Sequence, residues 1–537
     1  MKKNFYLRTE SIKLDEIVSL SVIDKKDQNI IDSLASPEPC LVEGSRGTGK
    51  SFLMRLAELE VEKEDNNIAV FVSFNVSSLV STTDELQFYH WMLAKTLRAL
   101  LNKLRKVGYQ VSPYSTSLLS NDDSEETAVL EKDLKSIVKS FEESYRGTVE
   151  IDTKNLPDIE DVKEAIESIC TDNEITRLYF FFDEAAHVFR PSQQRQFFSL
   201  FKDMRSPYIT CNAAIYPGVT YFGPSFEPIH DCIFRKLDRN IKDDDYLEYY
   251  SSIVFKQSDE KLKKQIERQK NLFNTLIFCC GGNPRMLLKN IQDIGSFNNN
   301  NVNSLIKDFY RFKIWAEHTE LGDKYNGHKT LIDWGRDFLE NEVVPSIQRY
   351  NNSRKNKGQN ESTLYFWIHK DSPETVKEAL RLLTYTGIIR KVDTAIRATR
   401  AQLGARYEVK YGCILSLHNN PVNESTSFYK QLSIKKFPEF GKNHPAYIIS
   451  NQVGQLESED FNYAESLKNM LSKPITVLQL LTDWQKQKLN EAGIITLEHL
   501  HTNTETDLIE KIYNVGPHRA RVMKNAANAE LLEYLSG

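Results

Sequence analysis

The sequence predicts an α/β fold built on a parallel β-sheet. Short, continuously apolar runs alternate with helical stretches between about residues 30 and 240, as in strands that are covered on both faces. A glycine-rich segment lies between the first of these runs and a helical stretch, where such folds bind phosphate. The four predicted strands are Pro39–Gly44, Ile68–Asn75, Arg177–Glu184 and Tyr208–Tyr216.

A long insert, about residues 80–176, separates the second and third predicted strands and has a mostly helical pattern. Its polar segment 112–127 is expected to be a mobile loop. Beyond the sheet the pattern is helical from about 240 to 300, and the asparagine-rich segment 296–304 is expected to be a linker.

The composition is that of a globular protein, and it excludes several classes of function. The 537 residues carry a net charge of −5, so any surface for nucleic acid must be local. Seven cysteines without a C-x-x-C pair suggest neither a disulfide framework nor a zinc site. Because neither a signal peptide nor an apolar run of about 18 residues is evident, we expect no membrane span and a cytoplasmic location.

The glycine-rich segment fits the pattern G-x-x-x-x-G-K-[ST] throughout. Its glycines allow backbone N–H groups to surround an anion, Lys50 can reach the outer phosphates, and the Ser51 hydroxyl can bind Mg²⁺. We therefore predict that ATP and Mg²⁺ bind here, since the alternative, a glycine-rich turn, does not explain the strand before it and the helix after it. The predicted nucleotide-binding residues are Gly44, Ser45, Arg46, Gly47, Thr48, Gly49, Lys50, Ser51 and Phe52.

Two acidic residues end the third predicted strand. Asp183 is expected to hold Mg²⁺ together with Ser51, and Glu184 is expected to orient or deprotonate an attacking water. An acidic turn after a buried strand is the simpler alternative, but the order after a complete phosphate loop favours hydrolysis.

A third element is the segment GGNPR, residues 281–285, which is followed by a helical stretch. Proline suits a first helical turn, and a helix starting there could direct Arg285 towards the last phosphate of the nucleotide. The alternative is an ordinary capped helix with a surface arginine.

These three motifs in this order resemble those of AAA+ ATPases, and most of all the initiator clade of origin-recognition and Cdc-six-like ATPases. The resemblance covers about residues 10–415 and implies an ATPase with a helical lid that acts as a homo-oligomer or with an AAA+ partner. It implies a polar sensor residue near the end of the fourth strand, for which Asn212 and Tyr216 both qualify. It also implies an arginine that acts on a neighbour's nucleotide, with Arg235 as the first candidate and Arg239 as the second. The long insert departs from the family pattern.

The stretch 373–413 predicts a helix followed by a β-hairpin, the order of a winged helix, which the initiator clade also carries after its lid. It has eight basic and four acidic side chains, so we expect contact with duplex DNA. The candidate contacts are Arg397, Arg400 and Arg406. A winged helix that binds protein is the alternative.

The last module contains two turns between helices and resembles tandem helix-hairpin-helix domains. The turn at residues 515–519 could present backbone N–H groups to a DNA phosphate, with Gly516 and Arg519 as the candidate contacts. From residue 474 onwards there are six basic and eight acidic side chains, so protein docking is an alternative to DNA contact.

The predicted domains and functions follow from these features. The boundaries are an AAA+ nucleotide-binding core at 1–240 with the insert, a helical lid at 241–300, a winged helix at 301–420, a linker or helical zone at 421–473, and a helix-hairpin-helix-like domain at 474–537. The first hypothesis is a DNA-associated ATPase whose oligomeric state is switched by ATP. The second is an ATP-dependent scaffold that recruits a protein effector without binding DNA. A motor that threads a polymer is the weakest hypothesis, because no pore-loop aromatics can be identified.

Overall fold

The computed structural model describes residues 5–527 except for 65, 75–84, 121–126, 144–152, 154–155, 185–190, 218–219, 221, 223–225, 325–328, 400, 448–469, 479–480, 518, 521 and 525. No helix among these described residues is long and apolar enough to cross a membrane.

A five-stranded parallel sheet forms the centre of the first part of the chain and confirms the predicted α/β fold. The strand order is β2-β3-β4-β1-β5. The strands are β1 (Cys40–Glu43), β2 (Asn67–Ser73), β3 (Arg177–Asp183), β4 (Ile209–Ile215) and β5 (Ile233–Lys236). The sequence did not predict β5, which lies at the edge of the sheet.

Helices cover both faces of this sheet, as the apolar strands require. They are α1 (Leu14–Leu20), α2 (Lys25–Ala35), α3 (Lys50–Val61), α4 (Glu85–Val107), α5 (Pro113–Ser120), α6 (Thr127–Glu142), α7 (Ile159–Asp172), α8 (Pro191–Asp203) and α9 (Pro228–Asp231). Alternate residues of β3 point to opposite faces: Tyr179 and Phe181 join the core under α1–α3, whereas Phe180 and Phe182 join the core under α4 and α6–α8.

The insert between β2 and β3 is helical, as predicted, but the expected mobile loop at 112–127 is partly wrong. Helix α5 occupies 113–120 and buries Leu119 completely, and residues 121–126 lie outside the described part of the chain.

Four helices follow β5 in the region predicted to be a lid: α10 (Tyr246–Lys256), α11 (Glu260–Arg268), α12 (Lys270–Cys280) and α13 (Pro284–Asp293). The expected linker at 296–304 is wrong, because α14 (Asn299–Asp308) begins there. The Asn298 side chain accepts a hydrogen bond from the Asn301 backbone N–H and caps this helix, which buries Val302.

The next module combines helices with a four-stranded sheet of order β7-β8-β6-β9. Its elements are α15 (Ile314–Thr319), α16 (Leu321–Lys324), α17 (Lys329–Phe338), α18 (Val344–Asn356), β6 (Tyr365–His369), α19 (Glu374–Tyr385), β7 (Ile389–Arg397), β8 (Leu403–Val409), α20 (Tyr411–Leu415), α21 (Pro421–Gln431) and β9 (Glu439–Phe440), with π-helical turns at Phe309–Lys313 and Leu339–Val343. Helix α19 followed by the antiparallel β7–β8 hairpin is the order expected of a winged helix.

The C-terminal module has a small core of its own, which extends from Met470 to Ala527. Its helices are α22 (Asp483–Glu491), α23 (Leu497–Thr502) and α24 (Glu505–Lys511). Threonines cap all three helices by accepting backbone hydrogen bonds through their side chains.

Candidate functional site

The glycine-rich loop runs from the end of β1 to Lys50, the first residue of α3. Gly47 and Gly49 have φ angles of +82° and +105°, a left-handed backbone that other residues rarely adopt. Gly47 is also closely packed, since a Cβ there would lie 2.8 Å from the Asn283 side-chain oxygen. The glycines therefore provide both the curvature of the loop and its close approach to the lid.

Lys50 lies at the centre of this site and is only 6% exposed. Its ammonium group donates hydrogen bonds to the carbonyl oxygens of Gly44 and Ser45 at 2.6 Å and 3.2 Å. It also lies over the Tyr216 ring, 3.9 Å from the ring centroid. Burial lowers the pKa of Lys50 to about 7, although the nearby Asp183 carboxylate opposes this shift.

Asp183 and Glu184 lie at the carboxyl end of β3, beside the loop. Asp183 is buried, and burial together with the neighbouring Glu184 raises its pKa to about 6, although a hydrogen bond from the Ser51 side chain opposes the shift. Burial, and then Glu10, also raise the pKa of Glu184. The φ angle of Glu184 is +58°, so its backbone is held in a conformation that costs about 1–3 kcal/mol outside glycine.

The side chains present fit a magnesium site of the kind that relies on nucleotide phosphates. Ser51 and Asp183 would hold the ion, since Mg²⁺ in such sites takes one or two protein oxygens and completes its shell with phosphate and water. In the described part of the chain, no group of three or more His, Cys, Asp or Glu residues forms an all-protein metal site.

The segment GGNPR brings the lid onto the glycine-rich loop. Asn283 caps α13 by accepting a hydrogen bond from the Met286 N–H at 3.1 Å. The same amide donates to the carbonyl oxygen of Arg46 at 2.7 Å, and the Arg285 N–H lies 3.4 Å from the carbonyl oxygen of Gly47. The first turn of α13, which contains Arg285, therefore lies directly beside the glycine-rich loop.

A cavity of about 380 Å³ joins these residues. Its lining includes the glycine-rich loop, Glu184, Tyr216 and Arg285, and the segment from Tyr6 to Ile12 closes one side. The Arg285 Nε donates to the carbonyl oxygen of Leu7 at 2.9 Å, which ties this N-terminal segment to the lid. No local sequence pattern predicts that role, because the contact joins residues far apart in the chain.

The structure separates the two candidates for the sensor residue. Asn212 is fully buried within β4, and its amide donates to the carbonyl oxygen of Leu34 at 2.9 Å on the side away from the loop. Tyr216 follows the end of β4 and lines the cavity of about 380 Å³ beside Lys50. Of the two candidates, Tyr216 therefore lies at the cavity and Asn212 does not.

The two arginine-finger candidates have partners within their own chain. Arg235 lies in β5, and its Nε donates to the Ser33 hydroxyl at 2.9 Å. Arg239 is 8% exposed and forms ion pairs with Asp24 and, at 2.6 Å, with Asp27. Arg239 is thus held within its own chain, which corrects the prediction that it could act as a finger. Arg235 is exposed, and the bond to Ser33 uses only its Nε, so Arg235 stays a candidate.

The candidate DNA contacts differ in how accessible they are. Arg397 at the end of β7 and Arg519 are exposed, as is Gly516, whereas Arg400 lies outside the described residues. Arg406 is buried, pairs with Asp393 and donates to the carbonyl oxygen of Ile434 at 2.7 Å, so its prediction as a DNA contact is corrected. Arg519 lies over the Trp484 ring, 4.8 Å from the centroid.

A protein-family model described as ORC-CDC6-like matches residues 7–257. This matched segment, slightly less than half of the 537 residues, is similar to the ORC-CDC6-like family. It contains the glycine-rich loop, Asp183 and Glu184, whereas Arg285 and everything after the first lid helix lie beyond the match. The ORC-CDC6-like similarity therefore covers both motifs that lie around Lys50.

Two further comparisons add little to this similarity. A crystal structure of Cdc6p from Pyrobaculum aerophilum aligns with a TM-score of 0.31 at 9% sequence identity, covering 83% of this chain and 99% of that chain. At that TM-score the likeness carries no argument about the ORC-CDC6-like segment or the modules after it. No curated protein matches the chain.

Proposed function

We propose that the protein binds ATP with Mg²⁺ and hydrolyses it, and that bound ATP switches an oligomeric assembly on duplex DNA. One observation carries the proposal. Lys50 and Ser51 of the loop, Asp183 at the end of β3, Glu184 just after it and Arg285 of the lid lie together. All but Asp183 line a single cavity, and Asp183 accepts a hydrogen bond from Ser51. The ORC-CDC6-like match to the segment that holds the first four of these residues supports the same function.

Each of these side chains has a role that its environment supports. The buried Lys50 ammonium group would neutralise phosphate charge once it leaves the two loop carbonyls. Glu184 has a raised pKa, which makes it a better acceptor for the proton of an attacking water than an ordinary carboxylate. Arg285 would donate to the phosphate on which negative charge develops. Mg²⁺, when bound, would polarise the phosphate oxygens.

Assembly on DNA rests on the family match and on the exposed basic side chains of the β7 end and the C-terminal module, Arg397 and Arg519. The mass of the full chain in solution and its ATPase rate, each measured with and without ATP and duplex DNA, test it. We expect ATP to increase the mass and DNA to raise the ATPase rate, with DNA binding that weakens steeply as salt increases. A mass that ATP leaves unchanged, together with a rate insensitive to DNA, would contradict the proposal of assembly on DNA.

A second candidate function, an ATP-dependent scaffold that recruits a protein effector, is favoured by one observation. Several basic side chains of the winged-helix module are already engaged within the chain: Arg381 pairs with Glu378, Arg390 with Glu408, and Arg406 with Asp393. They are therefore less available to DNA phosphates than their number in the sequence suggests. Under this function, Glu184→Gln would trap an assembled state with ATP while DNA has no effect on turnover.

A further inference from the structure

A second cavity, of about 490 Å³, lies on the other side of the glycine-rich loop. The end of β5 and the loop form one wall, and α19 with the β7–β8 hairpin forms the opposite wall. We call it the basic cavity, because eight lysines and arginines line it against only two carboxylates. It is larger than the cavity of about 380 Å³ at the proposed ATP site, and the proposed function assigns no ligand to it.

The cations of the basic cavity come from two modules and face one another. Lys236 belongs to β5, Lys377 and Arg381 project from α19, and Lys391 lies on β7. The pKa of Lys391 is lowered, first by burial and then by the positive charges of Lys236, Arg381 and Lys377. Folding thus brings like charges together across the cavity, and an anion between them would relieve the repulsion.

The carboxylates of the chain leave part of this charge uncompensated. Lys236 contacts Glu43 at 3.5 Å but is 59% exposed, so that ion pair contributes little. Within the part of the chain that the structure describes, the Lys391 ammonium group forms no ion pair. Two ammonium groups on opposite walls therefore remain available for a ligand.

The basic cavity also contacts the nucleotide site directly. Thr48 of the loop lines both cavities, and Ser45 lines the basic cavity. The turn at Gly387, which joins α19 to β7, lies so close that a Cβ there would be 3.7 Å from the Ser45 hydroxyl oxygen. Lys410 donates to the carbonyl oxygen of Cys280 at 3.0 Å, just before the GGNPR segment. A ligand in the basic cavity would therefore contact both the loop and the winged-helix module.

We propose that the basic cavity binds a small anion with two or more phosphate groups, which bridges Lys236 of the core and Lys391 of the winged-helix module. Several phosphates match the spread of cations over two walls, whereas a single carboxylate would reach only one of them. The volume is in the range of small-molecule sites. The proposed anion site does not depend on ATP hydrolysis, because neither Lys236 nor Lys391 is among the residues proposed to act in hydrolysis.

Isothermal titration of the full chain with inorganic tripolyphosphate tests the proposal. The nucleotide site is first saturated with Mg²⁺ and a non-hydrolysable ATP analogue, and free Mg²⁺ is held constant. We expect one saturable site per chain, with affinity falling about tenfold for each lost ammonium contact and about 100-fold in the double variant Lys236→Gln/Lys391→Gln. The matched control is Lys132→Gln/Lys264→Gln, which removes the same charge from exposed positions on α6 and α11 and should bind as the wild type does.

Two results of the titration would overturn the proposal: no saturable binding of tripolyphosphate, or affinity that falls equally in both double variants. A third would be duplex DNA binding that depends on Lys236 and Lys391 while tripolyphosphate does not bind. The last result would assign the basic cavity to DNA phosphates. Repeating the titration on Lys50→Ala without nucleotide separates the two proposals, since tripolyphosphate binding should persist there even if the ATP site fails.

Discussion

The contact between the lid and the glycine-rich loop depends on one side chain, Asn283. Its oxygen caps α13 at the Met286 N–H, and its amide donates to the carbonyl oxygen of Arg46. Asn283→Ala removes both hydrogen bonds. We expect a loss of about 1 kcal/mol for the cap and about 1 kcal/mol for the link to Arg46. Asn283→Ser restores an acceptor for the cap but is too short to reach Arg46, so it should recover about half of the lost stability.

The two variants should be equally impaired in turnover, because both release the lid from the loop and so misplace Arg285. A weakening of about 1 kcal/mol corresponds to about a fivefold lower ratio of docked to undocked lid, and turnover should fall by up to that factor. The assays are the urea midpoint of unfolding for stability and steady-state ATP turnover for function.

A double-mutant cycle with Arg285→Ala decides whether the effect acts through Arg285. If Asn283 serves only to place Arg285, Asn283→Ser should leave the turnover of Arg285→Ala unchanged. A further fivefold loss on that background, or wild-type turnover in Asn283→Ser alone, would show that Asn283 does not act by placing Arg285.

Two further predictions concern stability and pH. Arg239→Ala leaves the fully buried Asp27 without its cation and should lower the free energy of unfolding by about 3–5 kcal/mol. The control Arg268→Ala, at an exposed position, should have little effect. Equal urea midpoints for the two variants would show that burial of Asp27 does not matter. Because the pKa of Lys50 is lowered to about 7, its ammonium group is largely deprotonated at pH 8, and binding a triphosphate should raise that pKa and take up a proton. Calorimetry of ATP binding at pH 8 in buffers of different ionisation enthalpy should detect the uptake, and no dependence on the buffer would show that Lys50 is already charged in the free protein.

The strands that the sequence predicted are those with continuous apolar runs. β5 was missed because two of its four residues, Arg235 and Lys236, are basic, a composition that is typical of a strand at a sheet edge. The asparagine-rich segment before α14 has the composition of a linker, but Asn298 acts there as a helix cap and Val302 packs into the core. Local composition cannot distinguish a cap from a loop when the apolar residues are sparse.

Lys50, Ser51, Asp183 and Glu184 could be predicted as site residues because each belongs to a local sequence motif. The residues that close the site have none: the tie between Arg285 and Leu7 spans 278 positions of the chain, and the pair between Arg239 and Asp24 spans 215. Tertiary packing decides which arginines are buried in such ion pairs and which can contact a ligand. The number of arginines predicted from the sequence to contact DNA or a neighbour was therefore too high.

ATP binding and ATP turnover should be compared in Lys50→Ala and Glu184→Gln, because one side chain belongs to the loop and the other follows β3. If the loop and the end of β3 act on one triphosphate, Glu184→Gln should bind ATP with wild-type affinity and hydrolyse it about 100-fold more slowly or worse, while Lys50→Ala should bind no ATP. The exposed Glu267→Gln, with the same change of charge, should behave as the wild type does. Wild-type turnover in Glu184→Gln, or wild-type ATP affinity in Lys50→Ala, would contradict the account.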